Sequence, residues 1–322
     1  MCFIVSLLFL LLVFQRNQEV SILEKNRADV LKALFPFLII LHHISIMNDC
    51  AWLTDFRYCG AYVVGTFFFM SGYGLEYKKG IGTSNLSKRL SKLFMPVVFP
   101  MGGYILYLLM TKDNAWGFMM NTVRHLNLIL PYSWFVIVIG MLYSLHGFIR
   151  KRILGDMKFD VVFAVVLCVL SVLFCVLRFD SVTYISNSAF LLGIIYQQKE
   201  KSLIQLMRKR SVMLAMLLVL TMIVVSYGKG TPLFVGFSVV GVPLFVLAFF
   251  LVFSKIQIAQ LQIKPILFLK RHSYEMYLWQ SLAMIIVGFF NVDSILLYVL
   301  LTFAIDLFLS YCSHFLLVKI NG

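Results

Sequence analysis

Apolar residues gather into ten runs along the chain, near 30–47, 59–75, 93–110, 133–149, 159–177, 182–197, 212–227, 232–253, 273–290 and 294–317. A stretch of about 17 to 25 apolar residues is the length that crosses a hydrocarbon layer about 30 Å thick. Lipid offers no water to backbone N–H and C=O groups, so each run is predicted to be a helix. The expected fold is all-α: a polytopic transmembrane helical bundle of ten spans plus a short N-terminal apolar segment. That segment, MCFIVSLLFLLLVF, is apolar for only 14 residues. At 1.5 Å per residue it reaches about 21 Å, short of an unstrained crossing. It reads as an extra helix or an interfacial piece within residues 1–26, ahead of one transmembrane domain over 27–319. No repeat or Pro-rich linker divides that domain, and its longest outer segment, 111–132, has room for a short helix at most.

Composition agrees with a lipid environment. The 322 residues are 61% hydrophobic and 13% charged, more apolar surface than one soluble core buries. A formal net charge of +14 is best explained by its placement. With the first long span starting in the cytosol, only Arg57, Lys112, Arg124, Arg178 and Lys229 fall outside, and the other 23 of the 28 basic residues fall inside. This asymmetry is the positive-inside pattern, so the charge reports topology and not a nucleic-acid partner. Of the six cysteines, Cys2, Cys168, Cys175 and Cys312 sit in apolar runs, where cysteine behaves as a small hydrophobe. Cys50 and Cys59 flank the first outer loop, where an oxidising exterior permits a disulfide if the geometry fits.

Candidate chemistry begins in the first span, RADVLKALFPFLIILHHIS. Lys32 and His43 are eleven positions apart, close to three turns and about 16 Å of rise, so they project from one face. Asp29 lies within about 40° of that face and His42 about 100° from it. A charged group at mid-membrane costs on the order of 2.5–3.5 kcal/mol, so this stripe is expected to face protein. One histidine alone would more simply be a hydrogen-bonded core residue; the aligned set favours function.

Four further motifs stand out. The second span, GAYVVGTFFFMSGYGLEY, sets Gly65, Ser71, Gly72 and Gly74 among aromatics, which admits either a packed helix or a ligand to its backbone. Arg89 and Lys92 precede Pro96, so a kinked helix would bring phosphate-binding cations to the cytosolic mouth. Trp134, in PYSWF, suits an interfacial belt or a sugar-stacking surface. The ninth span, RHSYEMYLWQS, adds Glu275, Tyr277 and Gln280 at helical spacing, and Asp306 lies mid-way along the last span, where it needs a partner.

Together these motifs resemble the acyltransferase 3 family of polytopic membrane enzymes over about residues 27–318. Lys32 and His43 are similar to its first-span pair of a basic residue eleven positions before a histidine, with lysine where arginine is common. GTFFFMSGYGL resembles its glycine-rich second span, Arg89 and Lys92 its basic stretch before proline, and SWF and SYEMYLWQ its fourth- and ninth-span signatures. Gln280 departs from it, standing where many relatives carry histidine. The resemblance implies a cell-membrane O-acyltransferase with both ends of the ten-span unit cytosolic. It would transfer an acetyl group from cytosolic acyl-coenzyme A, as co-substrate and not a bound cofactor, to a hydroxyl of an extracytoplasmic carbohydrate. His43, Lys32 and Ser71 would be catalytic; Arg89, Lys92 and Lys32 would hold the coenzyme; Trp134, Tyr277 and Glu275 would meet the substrate; no metal site is expected. The rival reading is a proton-coupled transporter or flippase, since a carrier also needs an intramembrane His and Asp. The absence of related halves weighs against it.

Overall fold

The structure, a computed structural model, describes residues 25–48, 50–79, 86–153, 155–207, 213, 216–217, 220–221, 234–253 and 264–321. The N-terminal apolar segment and most of the run at 212–227 lie outside the described residues. Among the described residues the secondary structure is helical throughout. The helices are α1 (Lys25–Met47), α2 (Gly60–Lys79), α3 (Leu86–Phe94), α4 (Val98–Thr111), α5 (Ala115–Arg124), α6 (Trp134–Arg152), α7 (Asp156–Val176), α8 (Ser188–Met207), α9 (Phe234–Phe253), α10 (Lys264–Gly288) and α11 (Ile295–Asn321).

Among the described residues six segments are long and apolar enough to cross a membrane: Ala28–Met47, Leu86–Thr111, Trp134–Arg152, Asp156–Val176, Phe234–Leu251 and Ile295–Lys319. They correspond to six of the ten expected runs. Three more runs fall on α2, α8 and α10, which are helices diluted by polar residues such as Glu76, Gln198 and Glu275. The run at 182–197 opens with a 3-10 turn at Ser181–Thr183, and its helix starts only at Ser188. α7 shows why lipid is the solvent. Val161, Val165, Val169, Val172 and Val176 are exposed along one side, while Phe159, Phe163, Leu167, Leu170 and Phe174 are buried on the other. Both faces are apolar, which suits a helix with protein on one side and hydrocarbon on the other.

The chain divides into two compact units. The first comprises Met1–Leu31, Tyr58–Ser84 and Phe148–Ile263. Its centre is the α2–α8 pair, which meet backbone to backbone at two glycines. A Cβ on Gly72 would stand 2.0 Å from the Phe190 carbonyl oxygen, and one on Gly193 would stand 2.1 Å from that of Phe69. Small residues allow such close approach, the main source of helix association in lipid. α9 closes on the same pair, stacking Phe250 on Phe69 at 4.3 Å between ring centroids. Arg150, at the end of α6, donates to Glu76 at 2.8 Å and to Asp156 at 2.9 Å, and its guanidinium lies 3.6 Å over the Phe159 ring.

The second unit comprises Lys32–Arg57, Asn85–Gly147 and Lys264–Gly322. α10 and α11 run antiparallel at its centre. One apolar cluster joins Ile40, Ile44 and Leu53 to Met276, Met284 and Val299. Another joins Val97, Tyr104, Leu108 and Val136 to Leu278, Trp279 and Leu282. Pro96 has no N–H for the helix ladder and crowds the preceding turn, and the ladder tightens there to a 3-10 turn at Met95–Val97, which joins α3 directly to α4.

Candidate active site

His43 is held from two directions. α1 carries it, and the loop between α5 and α6 covers it: the His43 and Tyr132 rings stack with centroids 3.9 Å apart at 25°. That loop adopts left-handed backbone at Leu126, Ile129 and Tyr132, with φ of 59°, 55° and 64°. Each is unfavourable for a residue with a Cβ, by about 1 kcal/mol or more, and side-chain bonds hold them in place. The Ser133 hydroxyl donates to the Leu130 carbonyl at 2.6 Å and accepts from the Leu128 N–H at 2.8 Å. The Asn127 amide oxygen accepts from the Trp134 N–H at 2.9 Å. Tyr277 on α10 donates its hydroxyl to the Tyr132 carbonyl. Burial pushes the Tyr132 phenol above its ordinary value, so a neutral ring faces the imidazole.

Nδ1 of His43 is sealed from solvent without a hydrogen-bond partner, while the residue as a whole is half-buried. Nε2 is therefore the nitrogen open to a reacting molecule. On the preceding residue, Nδ1 of His42 bonds the Phe56 carbonyl at 3.0 Å. Arg57 donates to the Ser45 carbonyl at 2.7 Å and to the Asn48 carbonyl at 3.4 Å. A cation that caps the C-terminal carbonyls of α1 in this way favours the helix end electrostatically. The 3-10 segment Ala51–Tyr58 is thus pinned to the end of the helix that bears both histidines.

The polar stripe on α1 faces protein, as expected. Asp29 is buried, Lys32 and His43 are half-buried, and Leu34 on the opposite face is exposed. Arg89 is half-buried and Lys92 exposed on α3, just before the Pro96 break, where the Tyr274 hydroxyl donates to the Leu93 carbonyl at 2.7 Å. Trp134 is half-buried at the start of α6, with its ring edge-on to Phe135 at 6.5 Å. Glu275 is engaged elsewhere: its carboxylate accepts from Nδ1 of His314 on α11 at 2.8 Å. Lys32, His43, Arg89, Lys92, Trp134, Tyr277 and Glu275 all belong to the second unit, whereas Ser71 is half-buried on α2 of the first. The Gly72 contact with Phe190 gives the glycine-rich motif a helix-packing role. Cys50 and Cys59 are free thiols.

Three residues of this arrangement were not singled out from sequence. Tyr132 stands inside the PYSWF motif, beside the Trp134 that drew notice. Arg57 was read only as an outer charge, and His314 as part of an apolar span. A histidine eight residues after Asp306 on the last span was a usable signal, since an ionisable residue at membrane depth needs a reason.

Comparison with known proteins decides the family. An acyltransferase domain, the acyltransferase 3 family model, matches residues 25–314. The chain belongs to the acyltransferase 3 family. The match spans nearly the whole chain and both compact units, so this acyltransferase domain includes the His43 and Arg89 segments alike. No curated protein and no solved structure matches the chain. Family membership and the six crossing-length helices make it a multi-pass membrane acyltransferase.

Proposed function

We propose that this acyltransferase 3 protein moves an acetyl group from cytosolic acetyl-coenzyme A to a hydroxyl of an extracytoplasmic carbohydrate, such as a surface polysaccharide or its precursor. It does so in the cell membrane, with both ends of the bundle in the cytosol. The observation that carries the reading is the His43 imidazole, packed on Tyr132 in the unit that also holds Lys32, Arg89 and Lys92. Arg89 and Lys92, with Lys32, take the coenzyme phosphates, for which guanidinium and ammonium groups are well suited. Trp134 and the Tyr277 region meet the sugar; Glu275, bonded to His314, acts on it at most through that pair.

The chemistry is one acyl transfer. The acceptor hydroxyl oxygen attacks the thioester carbonyl while His43 Nε2 takes its proton, the C–S bond breaks, and the thiolate leaves with the proton His43 returns. An Nε2 base needs its proton on Nδ1, and a buried N–H without an acceptor costs about 1–3 kcal/mol. Bound substrate must offset that cost, which favours a base that works only in the assembled complex.

The test is ester analysis of surface polysaccharide from cells with the gene, without it, and with His43→Ala inserted at the wild-type level. Loss of the acetyl ester in the last two supports the proposal. A His43→Ala protein that restores the ester removes His43 from the mechanism. Absence of acetyl-coenzyme A binding to the purified wild-type protein would overturn acetyl-coenzyme A as the donor.

A further inference from the structure

One turn of α10 holds both ends of the candidate active site. Tyr274 and Tyr277 are three residues apart, which sets their side chains about 60° apart around the helix and about 4.5 Å apart along it. The Tyr274 hydroxyl donates to the Leu93 carbonyl at 2.7 Å, and the Tyr277 hydroxyl donates to the Tyr132 carbonyl. The first acceptor directly follows Lys92 in the chain; the second belongs to the residue stacked on His43. Both tyrosine rings, with Leu93, border the apolar cluster around Val97, Tyr104, Leu278 and Trp279. The Phe135 ring stands edge-on to Tyr277, with centroids 5.6 Å apart.

Each hydroxyl meets a carbonyl where the backbone is irregular. In a 3-10 turn an N–H bonds the carbonyl three residues back, as the Val98 N–H does to Met95 at the end of the Met95–Val97 turn. Position 96 is proline and has no N–H, so the Leu93 carbonyl, three residues before it, goes without that bond. Tyr274 supplies a donor in its place. The same turn packs on both α10 and α11, which seats the end of the Arg89–Lys92 segment against the helix that bears the two tyrosines. Tyr132 holds a left-handed φ of 64°. Anchoring its carbonyl fixes the peptide plane, and with it the ring that lies 3.9 Å over His43.

We propose that Tyr274 and Tyr277 are positioning residues for acyl transfer: Tyr274 places the Arg89–Lys92 segment that takes the coenzyme phosphates, and Tyr277 places the Tyr132 ring that orients His43. Both roles rest on the acyl-transfer reading and add two residues to it. Because the hydroxyls ride on one helical turn, the phosphate-holding segment and the cover of the imidazole keep a fixed spacing. A donor with phosphates at one end and a thioester at the other needs such a spacing. The two hydroxyls act on different kinetic constants. A displaced cation segment weakens binding of a phosphate-bearing donor and leaves the chemical step alone, whereas a tilted imidazole slows that step and leaves donor binding alone.

The test uses purified full-length protein in lipid nanodiscs, with surface polysaccharide from cells lacking the gene as acceptor. Two donors are compared: acetyl-coenzyme A, and S-acetyl-N-acetylcysteamine, an acetyl thioester without phosphates. Rates are taken per mole of acetyl-coenzyme A bound at saturation, so unfolded molecules do not count. Tyr274→Phe and Tyr277→Phe each remove one oxygen and leave the ring in its apolar cluster. Tyr274→Phe should raise KM for acetyl-coenzyme A several-fold, with KM for the short thioester and kcat unchanged. Tyr277→Phe should lower kcat about tenfold with both donors, with KM for acetyl-coenzyme A unchanged. A merely structural role would lower the amount of coenzyme bound and leave rates per bound coenzyme and KM values as in wild type, which overturns the proposal. A parallel rise of both KM values in Tyr274→Phe removes the role of Tyr274, and a wild-type kcat in Tyr277→Phe removes that of Tyr277. Wild-type protein that neither binds nor uses acetyl-coenzyme A would instead overturn the donor reading on which both roles rest.

Discussion

Replacing Gly72 with alanine tests whether the glycine-rich motif is a packing device. The new Cβ would stand 2.0 Å from the Phe190 carbonyl oxygen and 3.0 Å from its carbon. An ordinary carbon–oxygen contact is about 3.3 Å, so α2 and α8 must separate locally by about 1.3 Å. The obstacle is backbone of a facing helix and cannot rotate away as a side chain can. Interiors packed at near-crystalline density respond to such insertions with a loss of about 1–3 kcal/mol, more where the backbone must move. At about 2 °C per kcal/mol for a chain of this size, Gly72→Ala should melt about 2–6 °C below wild type. The assay is intrinsic fluorescence on heating purified protein at a fixed scan rate. Gly74→Ala is the internal control, since a Cβ there meets nothing within 4 Å and alanine is the better helix former; it should melt at or above wild type. Gly193→Ala, whose Cβ would meet the Phe69 carbonyl oxygen at 2.1 Å, should behave like Gly72→Ala. The double variant should lose less than the sum, because one separation of the helices relieves both contacts. If Gly72→Ala melts within about 1 °C of Gly74→Ala, the close approach of α2 and α8 is not what holds this unit, and the packing argument fails.

Other predictions concern the second unit and one ion pair. Tyr132→Phe keeps the ring stacked on His43 and should retain most of the acyl-transfer rate, whereas Tyr132→Ala should lose about tenfold or more; equal rates for the two would deny the stack a role. Tyr277→Phe leaves the Tyr132 carbonyl without its donor and should destabilise by about 1–3 kcal/mol, read as a lower melting temperature. Arg89→Gln with Lys92→Gln should raise KM for acetyl-coenzyme A while leaving KM for a short acetyl thioester without phosphates unchanged; a parallel rise in both would refute phosphate binding there. Arg150→Ala leaves the Glu76 carboxylate, 4% exposed at its side chain, without its guanidinium and should cost about 3 kcal/mol, whereas Lys158→Ala at an exposed position nearby should melt like wild type.

Much of this architecture was legible along the chain because a bilayer imposes a length and a backbone rule that a one-dimensional hydropathy pattern records directly. Among the described residues the runs became helices, the 3-10 turn fell at Pro96, where the ladder lacks an N–H, and the stripe of Asp29, Lys32 and His43 turned toward protein because 3.6-residue periodicity sets the face. The family motifs, each short and local, were readable for the same reason. Partners across space were not. Tyr132 covers His43 because a strained loop folds back on α1; Glu275 meets His314 and not a substrate because α10 and α11 are antiparallel neighbours; and Gly72 serves a helix and not a ligand because Phe190 lies against it. Each depends on which helix packs beside which, a choice made by side-chain shape and close backbone approach between segments far apart in the chain. Hydropathy determined that these helices lie in lipid; packing alone decided what each polar residue touches there.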